Sequence, residues 1–97
     1  ISFNRRQVTS TVTSSAEDFY IGVSASGPVI IQMLDANTLS SGQTYIIKDE
    51  AGNANVHNIT VKASGSQTID GQSSIVLESP FASINLYSNG VDKFFIY

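Results

Sequence analysis

The sequence predicts an all-β domain: an antiparallel β-sandwich, jelly-roll-like, with about eight strands. Three observations lead there. Apolar residues recur at period two over short runs, the spacing that lines one face of a strand. Clusters of Gly, Pro, Asn, Asp and Ser interrupt those runs every ~8–12 residues, as turns between short strands do. Helix formers are scarce: charged residues make up only 13% of the chain, about half the usual share, and Leu occurs four times. A chain of 97 residues is one domain with a modest core.

The elements follow in order. Across Gln7–Thr13, Val8 and Val12 share one face of a first strand, and Thr9, Thr11 and Thr13 share the other. Phe19–Val23 is a second strand, ended by the turn chemistry of Ser24–Pro28. Val29–Leu34 is apolar on both faces, which suits a central strand. Asp35–Gly42 is a polar connection with room for one helical turn. Thr44–Asp49 and Asn58–Ala63 are strands, followed by a short one over Gly65–Ile69 that Asp70-Gly71 closes. Ser74–Glu78 continues the pattern, and Pro80 breaks it, because proline cannot donate to a ladder. Over Ala82–Ser88, Ala82, Ile84 and Leu86 point inward, while Ser83, Asn85 and Tyr87 point outward. Asn89-Gly90 is a preferred type I′ pair and predicts a tight closing hairpin into Lys93–Tyr97. No repeat of 20–50 residues is present.

Composition removes several function classes. Without cysteine there is no disulfide, no thiolate chemistry and no cysteine-ligated zinc. A net charge of -3 and a pI near 4.7 disfavour nucleic acid, which needs a basic face; Arg5-Arg6 is an isolated basic pair. No apolar run reaches the ~18 residues of a membrane span, so no membrane insertion is expected. The start, ISFNRRQ, lacks the apolar core of a signal peptide and an initiator Met, and reads as part of a longer chain. A surface of Ser, Thr and Asn with few charges is common in proteins exposed outside cells or on virions.

One stretch gathers groups that catalysis or a metal would use. YIIKDEAGNANVHNITV, Tyr45 to Val61, holds Asp49, Glu50, Asn53, Asn55 and His57. Tyr45 and Ile47 face one way, as do Ile59 and Val61, so the polar residues between them form a connection. Gly52, Asn53 and Asn55 are what a tight turn selects. The spacing does not match a calcium loop, which needs D-x-[DN]-x-[DN]-G and a later bidentate Glu. One His cannot supply a zinc site. No G-x-S-x-G accompanies His57, and the carboxylate pairs Glu17-Asp18 and Asp49-Glu50 are strand neighbours that point apart. No phosphate-binding glycine motif occurs. The expectation is a non-enzyme without cofactor or metal.

Adjacent aromatics give a different signal. In Phe19-Tyr20 and Phe94-Phe95 one ring of each pair must face away from the core. With the doubly apolar run Val29–Leu34, they predict either a neighbouring subunit over the outer rings or a tolerated exposed ring. Ile30, Phe94 and Ile96 are the candidate oligomer contacts.

The run FYIGVSASGPVIIQMLDA, then SGQTYIIKDEAGNA, NITV, GSQTIDG and FASINLYSNGVDKFFIY, resembles the C-terminal β-sandwich head modules of viral and bacteriophage fibres, spikes and tail proteins. The likeness covers Phe19 to Tyr97. It departs at Val91-Asp92-Lys93, where the modules carry Thr-Asn-Trp, and in the more apolar strand after Pro28. The resemblance implies a distal head at residues 18–97, with residues 1–17 entering from a shaft and supplying the first strand. It further implies a homo-oligomer, usually a trimer, on the virion surface that attaches to a host-cell receptor, a glycan or a protein. Many weak contacts would then act together. Candidate contact residues lie in the polar loops: Glu50, Asn53, Asn55, His57 and Asn58 first, then Asn37 and Asn89. Two other readings stay open. One is a structural trimerisation cap or capsid decoration that binds no receptor. The other is a carbohydrate-binding module with a flat row of aromatics such as Tyr20, Tyr87 and Phe94.

Overall fold

Residues 1–97 are all described in the computed structural model. The strands run β1 (Arg5–Val8), β2 (Val12–Thr13), β3 (Tyr20–Val23), β4 (Val29–Gln32), β5 (Thr44–Asp49), β6 (Ile59–Lys62), β7 (Thr68–Ile69), β8 (Ser74–Leu77), β9 (Ser83–Ser88) and β10 (Lys93–Ile96). A single 3-10 turn, Ala36–Thr38, interrupts the connection between β4 and β5, and the Asp35 side chain caps it by accepting from the Asn37 N–H.

The strands form two mixed sheets. One has six strands in the order β1-β3-β5-β9-β10-β7; the other has four, β2-β4-β6-β8. The chain crosses from one sheet to the other at each step from β1 to β6. Each return therefore lays a strand beside its predecessor in the same direction: β1, β3 and β5 are parallel neighbours, and so are β2, β4 and β6. The first half of the domain is wound as a coil, three turns deep. Antiparallel pairing enters only with β8 on β6, β9 on β5, and β10 on β9. The expected all-antiparallel jelly roll is corrected accordingly. Period-two alternation reports which face a residue occupies and carries nothing about strand direction.

Ten strands replace the eight expected, partly because Gln7–Thr13 is not one strand. It bends at Thr9–Thr11, so that Val8 enters the core from the six-stranded sheet and Val12 from the four-stranded one. Residues 1–17 thus contribute an edge strand to each sheet. The core lies between the sheets. Ile21, Val23, Tyr45, Ile47, Ile84, Leu86 and Phe94 come from one side, and Val29, Ile31, Ile59, Val61 and Leu77 from the other. Tyr45 spans it and finds a partner for its hydroxyl in the Ser15 carbonyl at 3.1 Å.

Two turns exchange roles relative to expectation. Asp70 and Gly71 both have positive φ, 49° and 81°, and Ile69 and Gln72 exchange both backbone hydrogen bonds around them. This is the two-residue type I′ geometry. Asn89 keeps a negative φ and uses its side-chain oxygen to accept from the N–H groups of Val91, Asp92 and Lys93. The closing hairpin is a four-residue loop organised by that side chain.

Candidate functional site

The polar run after β5 is a stapled turn. Asp49 ends β5 fully buried, and its carboxylate accepts from the N–H groups of Gly52 (3.0 Å), Ala54 (2.9 Å) and Phe81 (2.9 Å). Burial alone pushes its pKa up. The backbone donors of Ala54, Phe81, Gly52 and Ala51 outweigh burial and hold the carboxyl below its ordinary value. Asp49 therefore joins two loops, and its oxygens are committed to that task. Asn53 is tied inward as well, donating to the Ala25 carbonyl at 3.1 Å. Asn55 and Asn58 are exposed, and His57 is half-buried with its N–H on the Asn53 carbonyl at 2.8 Å. No group of three or more His, Asp or Glu side chains converges where a metal could sit.

The candidate contact loops fall at two opposite margins of the sheets. Ser24–Pro28 and the 50–58 loop share the side where the chain leaves the six-stranded sheet, as the Asn53–Ala25 bond shows. Asp35–Gly42 and the Asn89 loop share the other, where the Gly42 N–H bonds the Ser88 carbonyl at 2.7 Å. Asn37 and Asn89 are thus separated from Glu50, Asn53, Asn55, His57 and Asn58. Of the candidate oligomer contacts, Ile30 is exposed on the outer face of the four-stranded sheet and Ile96 is exposed near the chain end. Phe94 is corrected: it is 0% exposed, in the core against β9. Register decides this, because Phe94 pairs with the buried Ser88, which leaves Phe95 on the outer face opposite Tyr87.

The outer face of the six-stranded sheet holds features that no loop offers. Tyr87, Phe95 and Tyr97 form an aromatic cluster with ring centroids 5.6 and 5.8 Å apart. Beside it, across β5, lies a groove of about 370 Å³ lined by Arg5, Tyr20, Gly22, Ile46, Lys48, Glu50 and Ser83, with Ile21 beneath. Pairing explains the grouping. Arg5, Tyr20 and Ile46 stand in one lateral row; Gly22, Lys48 and Ser83 stand in the next. Gly22 leaves the dip. A Cβ there would lie 2.1 Å from the Glu50 carboxyl carbon, so only glycine allows Glu50 to fold back over the sheet. Glu50 then accepts from Arg5 Nε at 3.0 Å and Nη2 at 2.5 Å, a bidentate pair. Lys48 Nζ donates to the Phe81 carbonyl and sits 5.8 Å from the centre of its ring.

Phe81 itself is unusual. It is 56% exposed and has a φ of 62°, a left-handed conformation that bulky residues avoid. Three contacts hold it: Asp49 on its N–H, Lys48 on its carbonyl, and Gly52 beneath its ring. Gly52 also has a positive φ, 76°, and a Cβ there would meet the ring at 2.4 Å.

The sequence reading missed Arg5, Gly22, Lys48 and Phe81 as one neighbourhood. One signal was available: an isolated glycine inside an apolar strand, Phe19–Val23, marks a close approach. No known family model matches the chain, and no curated protein matches it.

Proposed function

We propose that the chain is the distal head of an oligomeric viral or bacteriophage fibre or spike. On the virion surface it attaches the particle to a host-cell receptor, a glycan or a protein, through repeated weak contacts. The reading rests on the resemblance over Phe19–Tyr97. The observation that carries it furthest is the set of exposed apolar side chains on each outer sheet face. Ile30 and Val76 flank Thr60 in one row of the four-stranded sheet, each 41% exposed, and Tyr87, Phe95 and Tyr97 cluster on the six-stranded one. Surfaces of this kind mark contact with another molecule. One face suits a neighbouring subunit and leaves the other for a ligand, and three copies side by side give avidity. The reading assigns no catalytic residue.

Light scattering after size exclusion, over a dilution series, tests the assembly, and binding of the labelled oligomer to host cells tests attachment. A trimer that binds cells is the expected result. A trimer that binds no cell favours a structural cap or capsid decoration. A monomer at every concentration that binds polysaccharide favours the carbohydrate-binding module, a reading the Tyr87–Phe95–Tyr97 cluster also supports, with Phe95 in the place expected of Phe94.

A further inference from the structure

We propose that copies of this chain meet through the outer face of the six-stranded sheet: the Tyr87–Phe95–Tyr97 ridge of one copy packs into the groove over Gly22 of the next. The proposal deepens the oligomeric part of the attachment reading and rests on it.

Pairing lays the face out in rows. Tyr20, Ile46, Asn85 and Tyr97 stand in the middle row, and Thr44, Tyr87 and Phe95 in the row beside it. The ridge therefore lies over β9 and β10, and the groove over β1, β3 and β5. The groove's charged ends are occupied within the chain: Arg5 holds Glu50 at 3.0 and 2.5 Å, and Lys48 donates to the Phe81 carbonyl. What remains of its lining is mostly apolar, with Tyr20 and Ile46 at its sides and Ile21 beneath, so it suits an apolar side chain and not an ion. Its volume of about 370 Å³ admits an aromatic ring. Tyr20, Tyr87 and Tyr97 are 38%, 37% and 58% exposed, so each has ring surface left to bury. The polar groups among them already have partners. The Asn85 amide donates to the Tyr97 carbonyl at 3.4 Å, and the Thr44 hydroxyl donates to the Gly42 carbonyl at 3.0 Å. Covering such groups costs less than covering unpaired ones.

Charge and size name the partner. The charged side chains of the face stand at its margins: Arg5 on the edge strand, Lys48 near the end of β5, and Lys93 at the start of β10. Glu50 pairs with Arg5, and Asp92 pairs with Lys93 at 3.2 Å. An uncharged aromatic centre inside a polar rim is the anatomy of a protein–protein interface, and tyrosine is among the residues that anchor one. The whole chain carries -3, yet this face sets Arg5, Lys48 and Lys93 against Glu50 and Asp92, so none of the acidic excess lies on it. Two identical acidic chains can therefore meet here without opposing like charge. The Cα framework measures 34 × 33 × 21 Å, thinnest across its two layers, so the face is broad enough for the ~800 Å² that each partner gives to a standard interface. Ridge and groove belong to one chain and face the same way. Each copy can give its ridge to a neighbour and take a neighbour's ridge into its groove, and such contacts close on themselves.

Light scattering after size exclusion, over a dilution series, reads the contact in the unmodified protein and in variants. Tyr97→Ser and Ile46→Gln should each raise the dissociation constant at least tenfold without changing the far-ultraviolet circular dichroism. Ile30→Ser, on the other sheet, should leave the assembly unchanged. A second measurement needs no loss of assembly. Benzoylphenylalanine in place of Tyr97 keeps an aromatic ring there, and irradiation of mixed isotope-labelled and unlabelled chains should join it to Tyr20–Gly22 or Ile46–Lys48 of another copy. A monomer at every concentration, an assembly that Ile30→Ser alone disrupts, or attachment to the four-stranded sheet overturns the proposal. Cell binding separates the two readings. An oligomer indifferent to both Tyr97→Ser and Ile46→Gln refutes this contact and leaves the fibre head standing. An oligomer that both substitutions disrupt, but that binds no host cell when intact, supports the contact and refutes attachment.

Discussion

Replacing Asp49 with Asn changes one oxygen to an amide nitrogen in a site built for acceptors. Asp49 Oδ2 accepts from Ala54 and Phe81, and Oδ1 accepts from Gly52. An amide can keep one oxygen on two of these donors, and its NH₂ then faces the third N–H. At least one hydrogen bond to a charged group is lost and the others weaken to neutral strength, a cost of about 3 kcal/mol at 1.5–3 kcal/mol per charged bond. Against a total of ~5–15 kcal/mol for a domain this size, that is a large fraction. At about 4–8 °C per kcal/mol, the melting midpoint should fall by roughly 12–24 °C. The pH dependence sharpens the test. The native pKa is depressed, so the carboxylate's contribution is complete above its unfolded value of 3.8 and is lost as pH falls through the native one. Urea unfolding of both proteins should give a gap that is constant near neutrality and narrows under acid below about pH 4. A gap under ~1 kcal/mol, or one that persists in acid, would refute the reasoning.

Other outcomes follow from the same structure. Gly71→Ala, in open space at a φ of 81°, should cost about 1 kcal/mol, whereas Gly52→Ala must also displace the Phe81 ring and should cost about 2–3 kcal/mol; equal losses by chemical denaturation would show that the ring is not packed there. Arg6 donates to Asp18 at 3.1 and 2.8 Å, and the Asp18 side chain is 2% exposed. Arg6→Ala should cost about 2 kcal/mol, less than a fully buried pair because Arg6 is partly in water, and a loss near zero argues against the pair. The Tyr45 phenol is pushed up to about 12 by burial first, then by Asp18 and Glu17. A raised native pKa gives stability that is full below the unfolded value of 10.0 and is lost as pH rises through the native one. Absorbance at alkaline pH should show one late-titrating tyrosine that Tyr45→Phe removes, along with most of the alkaline destabilisation; four equivalent tyrosines would contradict this.

The sequence shows faces better than directions. Alternation placed Tyr45, Ile47, Ile59, Val61, Ile84 and Leu86 in the core correctly. It could not reveal that β5 and β6 belong to different sheets, because strands facing one core from either side share the same pattern. Asp70-Gly71 and Asn89-Gly90 have equal turn grammar, and the difference lies in the Asn89 side chain capturing three N–H groups at once. Alternation alone does not choose between Phe94 and Phe95, so placing Phe94 on the outer face is an error that pairing with β9 corrects. Asp49 to Asn58 was legible as a turn from Gly52, Asn53 and Asn55. The groove was not, because Arg5, Gly22 and Lys48 come from three strands whose adjacency depends on the parallel winding.

That winding also determines how the domain bears tension. β1 is the first strand of the coil and lies at the rim of its sheet, where a pull on the N-terminal end arrives first. It is parallel to β3 along Arg5–Val8, so a pull along its axis loads its backbone bonds together instead of opening them one by one. Its two arginines act as rivets on opposite faces, Arg5 to Glu50 outside and Arg6 to the buried Asp18 inside. In single-molecule pulling, severing the inner rivet should lower the rupture force more than severing the outer one, since water screens Arg5–Glu50 more than Arg6–Asp18.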